Sequence, residues 1–369
     1  MTLSPRRSSA GMSLGFAALS ALLGLTLLAG CDSKTEDKGA ASSGAPTSAD
    51  SGPKPETPPK SDAGTPGTTS TGKKTIAIIS PAKTSEFHNE LPKGAAEEAL
   101  AQGWNPIIDQ APSKEDDYAG QVQLAQNVIQ QHPDAISVCG INPQALKNII
   151  KKANEAKIPI FVHNQITKSE GEVVAYIGYD EREGGNKCGQ QALEFLKQKN
   201  GGFKGKVAIL EGEPGDHTNE REGGFIDAIR KYPDVQLVAK QNGKWDRATG
   251  NKITKDWLQA YPDLDLVFGC SDAMAQGAGK AGLDAKHPLI TIGIDGNKTA
   301  LLDVDAHTLS ATLAVQPREI GAKIIHTMQD YFADSSKVPT GTVVKTEMKI
   351  VTQNNVREFV NKNAKGFTK

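Results

Sequence analysis

The chain contains the same structural phrase twice, and this repetition restricts its fold more than any other feature. Residues 135–164 read as a strand, a Gly-Ile-Asn-Pro turn, a helix, and then Ala156-Lys157-Ile158-Pro159-Ile160 entering a second strand. Residues 264–295 read as a strand, a Gly-Cys-Ser-Asp turn, an Ala-rich helix, and Ala285-Lys286-His287-Pro288-Leu289 entering another strand. The second linker follows the first by 129 residues, from Ala156 to Ala285. Residues 76–80 with the helix pattern of 91–100 likewise parallel residues 207–211 with 224–229. Two copies of one α/β half imply two similar lobes.

The phrases themselves are βαβ units. Short apolar runs at 75–79, 135–139, 160–163, 206–210, 264–268 and 289–294 alternate with stretches of helical period, the pattern of a parallel sheet. Leu146, Ile149, Ile150 and Ala153, and later Ile320, Ile324, Ile325 and Met328, are core-facing helix stripes. The predicted fold class is therefore α/β, with two Rossmann-like lobes built on parallel sheets. In open parallel sheets, ligands sit beyond the carboxyl ends of the strands. Those ends fall at residues 80–88, 140–142, 163–165, 211–219, 270–272 and 294–295, and nearly all of these residues are polar or aromatic. Neutral amides, hydroxyls and carboxylates flanked by aromatic rings suit a hydroxyl-rich solute.

The first 73 residues stand apart. Arg6 and Arg7 precede an apolar run over 14–28, too short to span a bilayer comfortably, and small residues Ala29 and Gly30 then lead to Cys31. Leu28-Ala29-Gly30-Cys31 resembles the bacterial lipoprotein lipobox, which implies that residues 1–31 end at an acylated Cys31. The resemblance extends to Asp32, which in Gram-negative lipoproteins implies retention on the periplasmic side of the inner membrane. Residues 32–73 are Ser, Thr, Gly, Pro, Lys and Asp with almost nothing apolar, the composition of a disordered tether. Its mean reach would be about 35 Å.

Formal net charge is −1, with Lys and Arg scattered, so no basic stripe exists to track a nucleic acid. Cys139, Cys188 and Cys270 are an odd number, read as buried structural thiols, with a disulfide between two of them left open. Residues 277–282 match the dinucleotide fingerprint in form but fall inside a helix, which is the wrong context. His217 with Glu220 and Glu222 could hold a cation, yet acids there better suit the first turn of a helix. No P-loop, zinc-helix motif or nucleophile elbow occurs. No enzyme, metal or cofactor is expected.

Residues 74 to about 350 resemble the ribose-type periplasmic binding proteins, the sugar-binding components of ABC transporters. The resemblance rests on Thr75-Ile76-Ala77-Ile78-Ile79, Ile141-Asn142-Pro143, residues 156–160, and Gly171-Glu172-Val173-Val174 leading to Asp180. It continues in Arg221-Glu222-Gly223-Gly224-Phe225, Trp245-Asp246-Arg247, Ser271-Asp272-Ala273-Met274-Ala275, Gly293-Ile294-Asp295-Gly296, and residues 311–314 with Gln316-Pro317. It implies a type I periplasmic binding protein fold with three hinge crossings near Tyr179, Gln316 and Thr346. The first lobe would be 74–179 with 316–345, and the second 180–315 with 346–369.

The resemblance also implies ligand-binding roles for individual residues. Phe87 and Trp245 correspond to the family's aromatic sandwich, and Asp295 to a retained acid. His163 and Asn164 stand where the family has an Asp-Arg pair. Ser85 replaces an Asn, His88 a second Phe and Ser271 another Asn, whereas Asn219 occupies a position that is often Arg, with Arg221 two residues on. Gln316 is a shifted equivalent of the hinge Gln, and Asn142 belongs to the turn. Loss of the arginine fork means that pentose specificity is not carried over.

The function expected is capture of a small sugar or sugar-like polyol between the lobes and delivery to an ABC transporter permease, by a monomer tied to the membrane through its lipid. A ligand-presenting module for a sensor kinase or chemoreceptor is the alternative. A repressor's effector core shares the fold, but the export signal and the missing DNA-binding headpiece count against it.

Overall fold

A computed structural model describes residues 72–360, so the expectations for residues 1–31, Cys31 and most of the tether lie outside the described residues. The first half runs β1 (Ile76–Ile79), α1 (Glu86–Ala101), β2 (Ile108–Gln110), α2 (Tyr118–Ile129), β3 (Ala135–Val138), α3 (Pro143–Glu155), β4 (Ile160–His163) and β5 (Ala175–Gly178). The second continues with α4 (Glu181–Asn200), β6 (Gly205–Glu211), α5 (Asp216–Ile229), β7 (Val235–Asn242), α6 (Arg247–Ala260), β8 (Leu264–Gly269), α7 (Asp272–Asp284), β9 (Ile290–Asp295), α8 (Lys298–Asp305) and β10 (Ala311–Ala314). Then come α9 (Pro317–Ala333), β11 (Thr342–Lys345) and β12 (Lys349–Thr352).

The strands form two six-stranded sheets, ordered β2-β1-β3-β4-β5-β11 and β7-β6-β8-β9-β10-β12. The two orders are the same, strand for strand, which is the duplication read from the sequence. All pairs are parallel except β10 with β12. The chain passes from the first sheet to the second between β5 and α4, back between β10 and α9, and across again between β11 and β12.

The central strands of each sheet are covered on both faces, so they read as nearly continuous apolar runs. In β1, Ile76 and Ile78 join the core shared with Leu91 and Ala95 of α1 and with Ile320 and Ile324 of α9. Ala77 and Ile79 point the other way, into the core beneath Ala125 of α2 and Leu146 and Ile149 of α3. Helix starts are set by short polar caps: Ser85, Asp117, Asn142, Asp180 and Asp246 each accept a backbone N–H of the following first turn. Residues 277–282 indeed lie within α7. A Cβ at Gly277 would overlap the Arg247 carbonyl, so this glycine lets α6 and α7 approach closely. Cys139, Cys188 and Cys270 are buried free thiols. No described helix is long and apolar enough to cross a membrane.

Candidate functional site

In each sheet the chain steps from its first strand outward to the edge, then returns to the other side, so the strand order reverses between β1 and β3 and between β6 and β8. Loops leaving adjacent strands diverge at such points and open a crevice. The segments after β1, β3, β6 and β8 all contribute to one cavity of about 490 Å³. This lies within the range typical of small-molecule sites, roughly 300–1,000 Å³. Gln121 braces the first switch point from below. Its side-chain amide donates to the carbonyls of Ser80 (3.1 Å) and Cys139 (2.8 Å) and accepts from the Ile141 N–H (2.9 Å).

Of the residues expected at the site, Ser85, Phe87, His88, Asn164, Arg221, Trp245, Ser271 and Asp295 line this cavity. Four others do not. The Asn142 side chain is used locally, accepting the Ala145 N–H at 2.7 Å as the cap of α3. His163 ends β4 fully buried, with Nδ1 2.8 Å from Ser137 Oγ. Asn219 is exposed because 100° per residue turns it away from the face shared by His217 and Arg221 at i and i+4. Gln316 caps α9 at the second crossing with φ 52° and stays clear of the lining.

The second-lobe wall is built around Arg221. Its Nη1 donates to the Cys270 carbonyl at 2.8 Å and lies 3.5 Å from Asp295 Oδ1, while Nε and Nη2 both reach Glu181 Oε1 at 3.1 Å. The guanidinium also stands 5.4 Å from the Trp245 ring centre and 5.8 Å from that of Tyr179. The indole occupies the space over Gly212 that a Cβ would fill. Burial pushes the Asp295 carboxyl up to about 7, against the opposing pull of Arg221. Asp272, behind it, is likewise raised well above the usual carboxylate range, by burial and by Asp295 itself. Four lining residues hold positive φ: Asn164 at 63°, Lys244 and Trp245 at 57°, and Asp295 at 145°. Such backbone costs about 1–3 kcal/mol each and persists where the surroundings impose it.

His88 lines the first-lobe side of the cavity and His163 is buried behind it, and both imidazoles are neutral. Burial, then the charge on His217, drives His163 down to about 3, and burial with His163, His217 and Arg221 lowers His88 as well. His88 Nδ1, His163 Nε2, Asn164 Oδ1 and Ser271 Oγ are buried and make no hydrogen bond within the protein.

Sequence reasoning missed Glu115 and His217. Glu115 sits in a Lys-Glu-Asp-Asp run that reads as a solvated loop, yet it lines the cavity, and burial raises its carboxyl to about 7. His217 reads in the sequence as part of the 211–219 strand end and as a cation candidate with Glu220 and Glu222, whereas its spacing of four from Arg221 is the signal that both face inward. Glu220 and Glu222 pair elsewhere, with Arg182 and Lys240 respectively. No metal-binding cluster occurs among the described residues.

Comparison with known proteins accords with this geometry. Residues 76–335 match the periplasmic binding protein domain. The ribose import binding protein RbsB of Bacillus subtilis (strain 168) is 33% identical over 249 residues, 67% of this chain and 78% of that protein. The D-allose-binding periplasmic protein of Escherichia coli (strain K12) is 27% identical over 71% of this chain and 86% of its own length. Among solved structures, an Agrobacterium vitis ABC transporter solute binding protein with bound D-fucose has TM-score 0.70 and 29% identity, covering 78% of this chain and 99% of its own. One from Actinobacillus succinogenes with bound D-allose also has TM-score 0.70, at 27% identity, covering 78% of this chain and 100% of its own. The chain therefore belongs to the periplasmic binding protein family, among its ribose-type sugar-binding members.

Proposed function

We propose that the protein binds a small sugar or polyol in the cavity between its two sheets and hands it to an ABC transporter permease. The observation that carries this reading is the set of unpaired buried polar atoms on residues that line the cavity: His88 Nδ1, Asn164 Oδ1 and Ser271 Oγ. A buried polar atom without a partner costs about 1–3 kcal/mol, and hydroxyl groups, as both donors and acceptors, can satisfy neutral imidazole, amide and hydroxyl alike. Phe87 and Trp245 supply apolar surface for the C–H faces of a ring, and Asp295 and Arg221 take further hydroxyls. The relatives named for ribose and D-allose, and the structures holding D-allose and D-fucose, support this class.

The ligand is held between lobes comprising 74–179 with 316–345 and 180–315 with 346–369, which hinge at the crossings near Tyr179, Gln316 and Thr346. The protein acts outside the cytoplasm, tethered through a lipid on Cys31, a reading supported by the lipobox-like Leu28-Ala29-Gly30-Cys31. Mass spectrometry of the mature N-terminal peptide tests the tether: an unmodified peptide that begins before Cys31 would exclude it.

Thermal unfolding with D-ribose, D-allose, D-fucose, myo-inositol and glycerol tests the binding reading. A ligand at 100 times its Kd should raise the unfolding temperature by about 5 °C or more. No shift with any sugar or polyol, confirmed by calorimetry, would defeat it.

A further inference from the structure

Glu181 follows the first crossing directly, at the start of α4, and is buried within the protein. One of its oxygens, Oε1, receives three contacts: Arg221 Nε at 3.1 Å, Arg221 Nη2 at 3.1 Å, and His217 Nδ1 at 2.6 Å. Both partners line the cavity, whereas Glu181 does not. The other ring nitrogen of His217, Nε2, lies 3.6 Å from Cys139 Sγ, at the end of β3 in the opposite sheet. A carboxylate at a hinge crossing, an imidazole in the ligand wall and a thiol on the facing lobe thus stand in line. We propose that Glu181 is a positioning residue, orienting Arg221 toward the ligand and His217 toward Cys139, and so coupling the ligand site to closure of the lobes. The proposal rests on the sugar-binding reading for its affinity arm, but not for the state of His217.

The electrostatics agree with the geometry. Burial alone would lower His217, but Glu181 and Cys139 together lift it to about 10, so the imidazole is cationic at neutral pH and Nε2–H is a donor to the thiol. The other titratable groups around it are Arg221 on its own helix, Glu115 before α2, His88 on α1 and His163 on β4. Of these, Arg221 opposes a charge on His217 and the two histidines are neutral. Glu181 is the acid in hydrogen-bonding contact, and it remains ionised because His217 and Arg221 outweigh its burial. Without that carboxylate, burial would pull the His217 value down with Cys139 alone left to raise it.

The test is Glu181→Gln, which keeps the shape and removes the charge. Ring-nitrogen NMR, with His217→Gln to identify the resonance, should show His217 protonated to above pH 9 in the natural protein. In Glu181→Gln it should lose its proton below pH 7. Calorimetry with whichever of D-ribose, D-allose, D-fucose, myo-inositol or glycerol binds the natural protein best should show at least tenfold weaker binding in Glu181→Gln at pH 8. The ratio of natural to variant affinity should shrink at pH 5.5, where His217 regains its proton, and that pH-dependent part should vanish in Glu181→Gln/His217→Gln. Binding within twofold of the natural protein at both pH values would overturn the proposal. So would a His217 that titrates near 6.5 in the natural protein, a result readable even if Glu181→Gln fails to fold. If no sugar binds the natural protein, the sugar-binding reading fails, and the NMR result alone decides the role of Glu181.

Discussion

His217 shows how one side chain's charge is set by its neighbours and then felt by the whole fold. Its ordinary value is 6.5, and in the folded protein it rises to about 10. A group raised on folding binds its proton more tightly in the native state, so its stabilising effect is full below about pH 6.5. It is lost as pH climbs through about 10. Burial also raises the Cys188 and Cys270 thiols and the Tyr179 hydroxyl, which acts in the same direction at higher pH. The unfolding temperature of the unliganded protein is therefore expected to fall between pH 7 and pH 10. His217→Gln should flatten the part of that slope below pH 9, as followed by calorimetry. An unchanged slope would mean that His217 titrates alike in folded and unfolded chains. His163 has the opposite sign: held neutral in the fold, it costs stability only on acidification below 6.5.

Elements, more than individual residues, place the site. Each strand of the switch points is short and mostly apolar, and the ladder register sets where its following loop begins, a few residues before the side chains that line the cavity. In the first sheet, Ile79 pairs with Val138, and Ser80 and Cys139 follow directly. In the second, Leu210 pairs with Gly269, with Glu211 and Cys270 following. The helices add a second rule. A helix that begins just beyond a strand turns residues at i and i+4 to the same side, which brings His217 and Arg221 into the cavity and turns Asn219 outward. The Asn142 side chain serves its own helix for a related reason: an Asn before Pro143 at a helix start accepts a first-turn N–H.

At the scale of the molecule, the two halves touch directly at the rim of the cavity. Glu86, in the first turn of α1, accepts from Thr299 N (3.2 Å) and Thr299 Oγ1 (2.6 Å) at the start of α8. α1 belongs to the first half and α8 to the second, so these bonds exist only while the halves are together. These hydrogen bonds are exposed, and such bonds contribute about 0.5–1.5 kcal/mol each at most, but a contact made only in the closed arrangement biases the population toward it. Glu86→Ala is expected to weaken sugar binding by about 3- to 10-fold, mostly through faster release, in stopped-flow or surface-based kinetics. Unchanged release would show that the contact does not hold the cleft.

The architecture is legible in the chain alone, because strand and helix periods are local and the duplication of residues 135–164 in 264–295 repeats them in order. Also legible are the loops that carry function, since polar residues following apolar strands have few other uses. The edge strand β2 was too short to read, and β12, which pairs antiparallel, has no signal that distinguishes it from a parallel neighbour. Only the tertiary structure decided which polar residues face the cavity. Side-chain direction depends on helix phase, backbone hand and what else is buried nearby. Asp295 turns inward on a positive-φ backbone, and Glu115 is drawn from a charged loop to the wall beside His217. Glu181, 40 residues from Arg221 in sequence, shares a single oxygen with it and with His217. Pairings of that kind are set by how distant segments meet in space, which local periodicity does not encode.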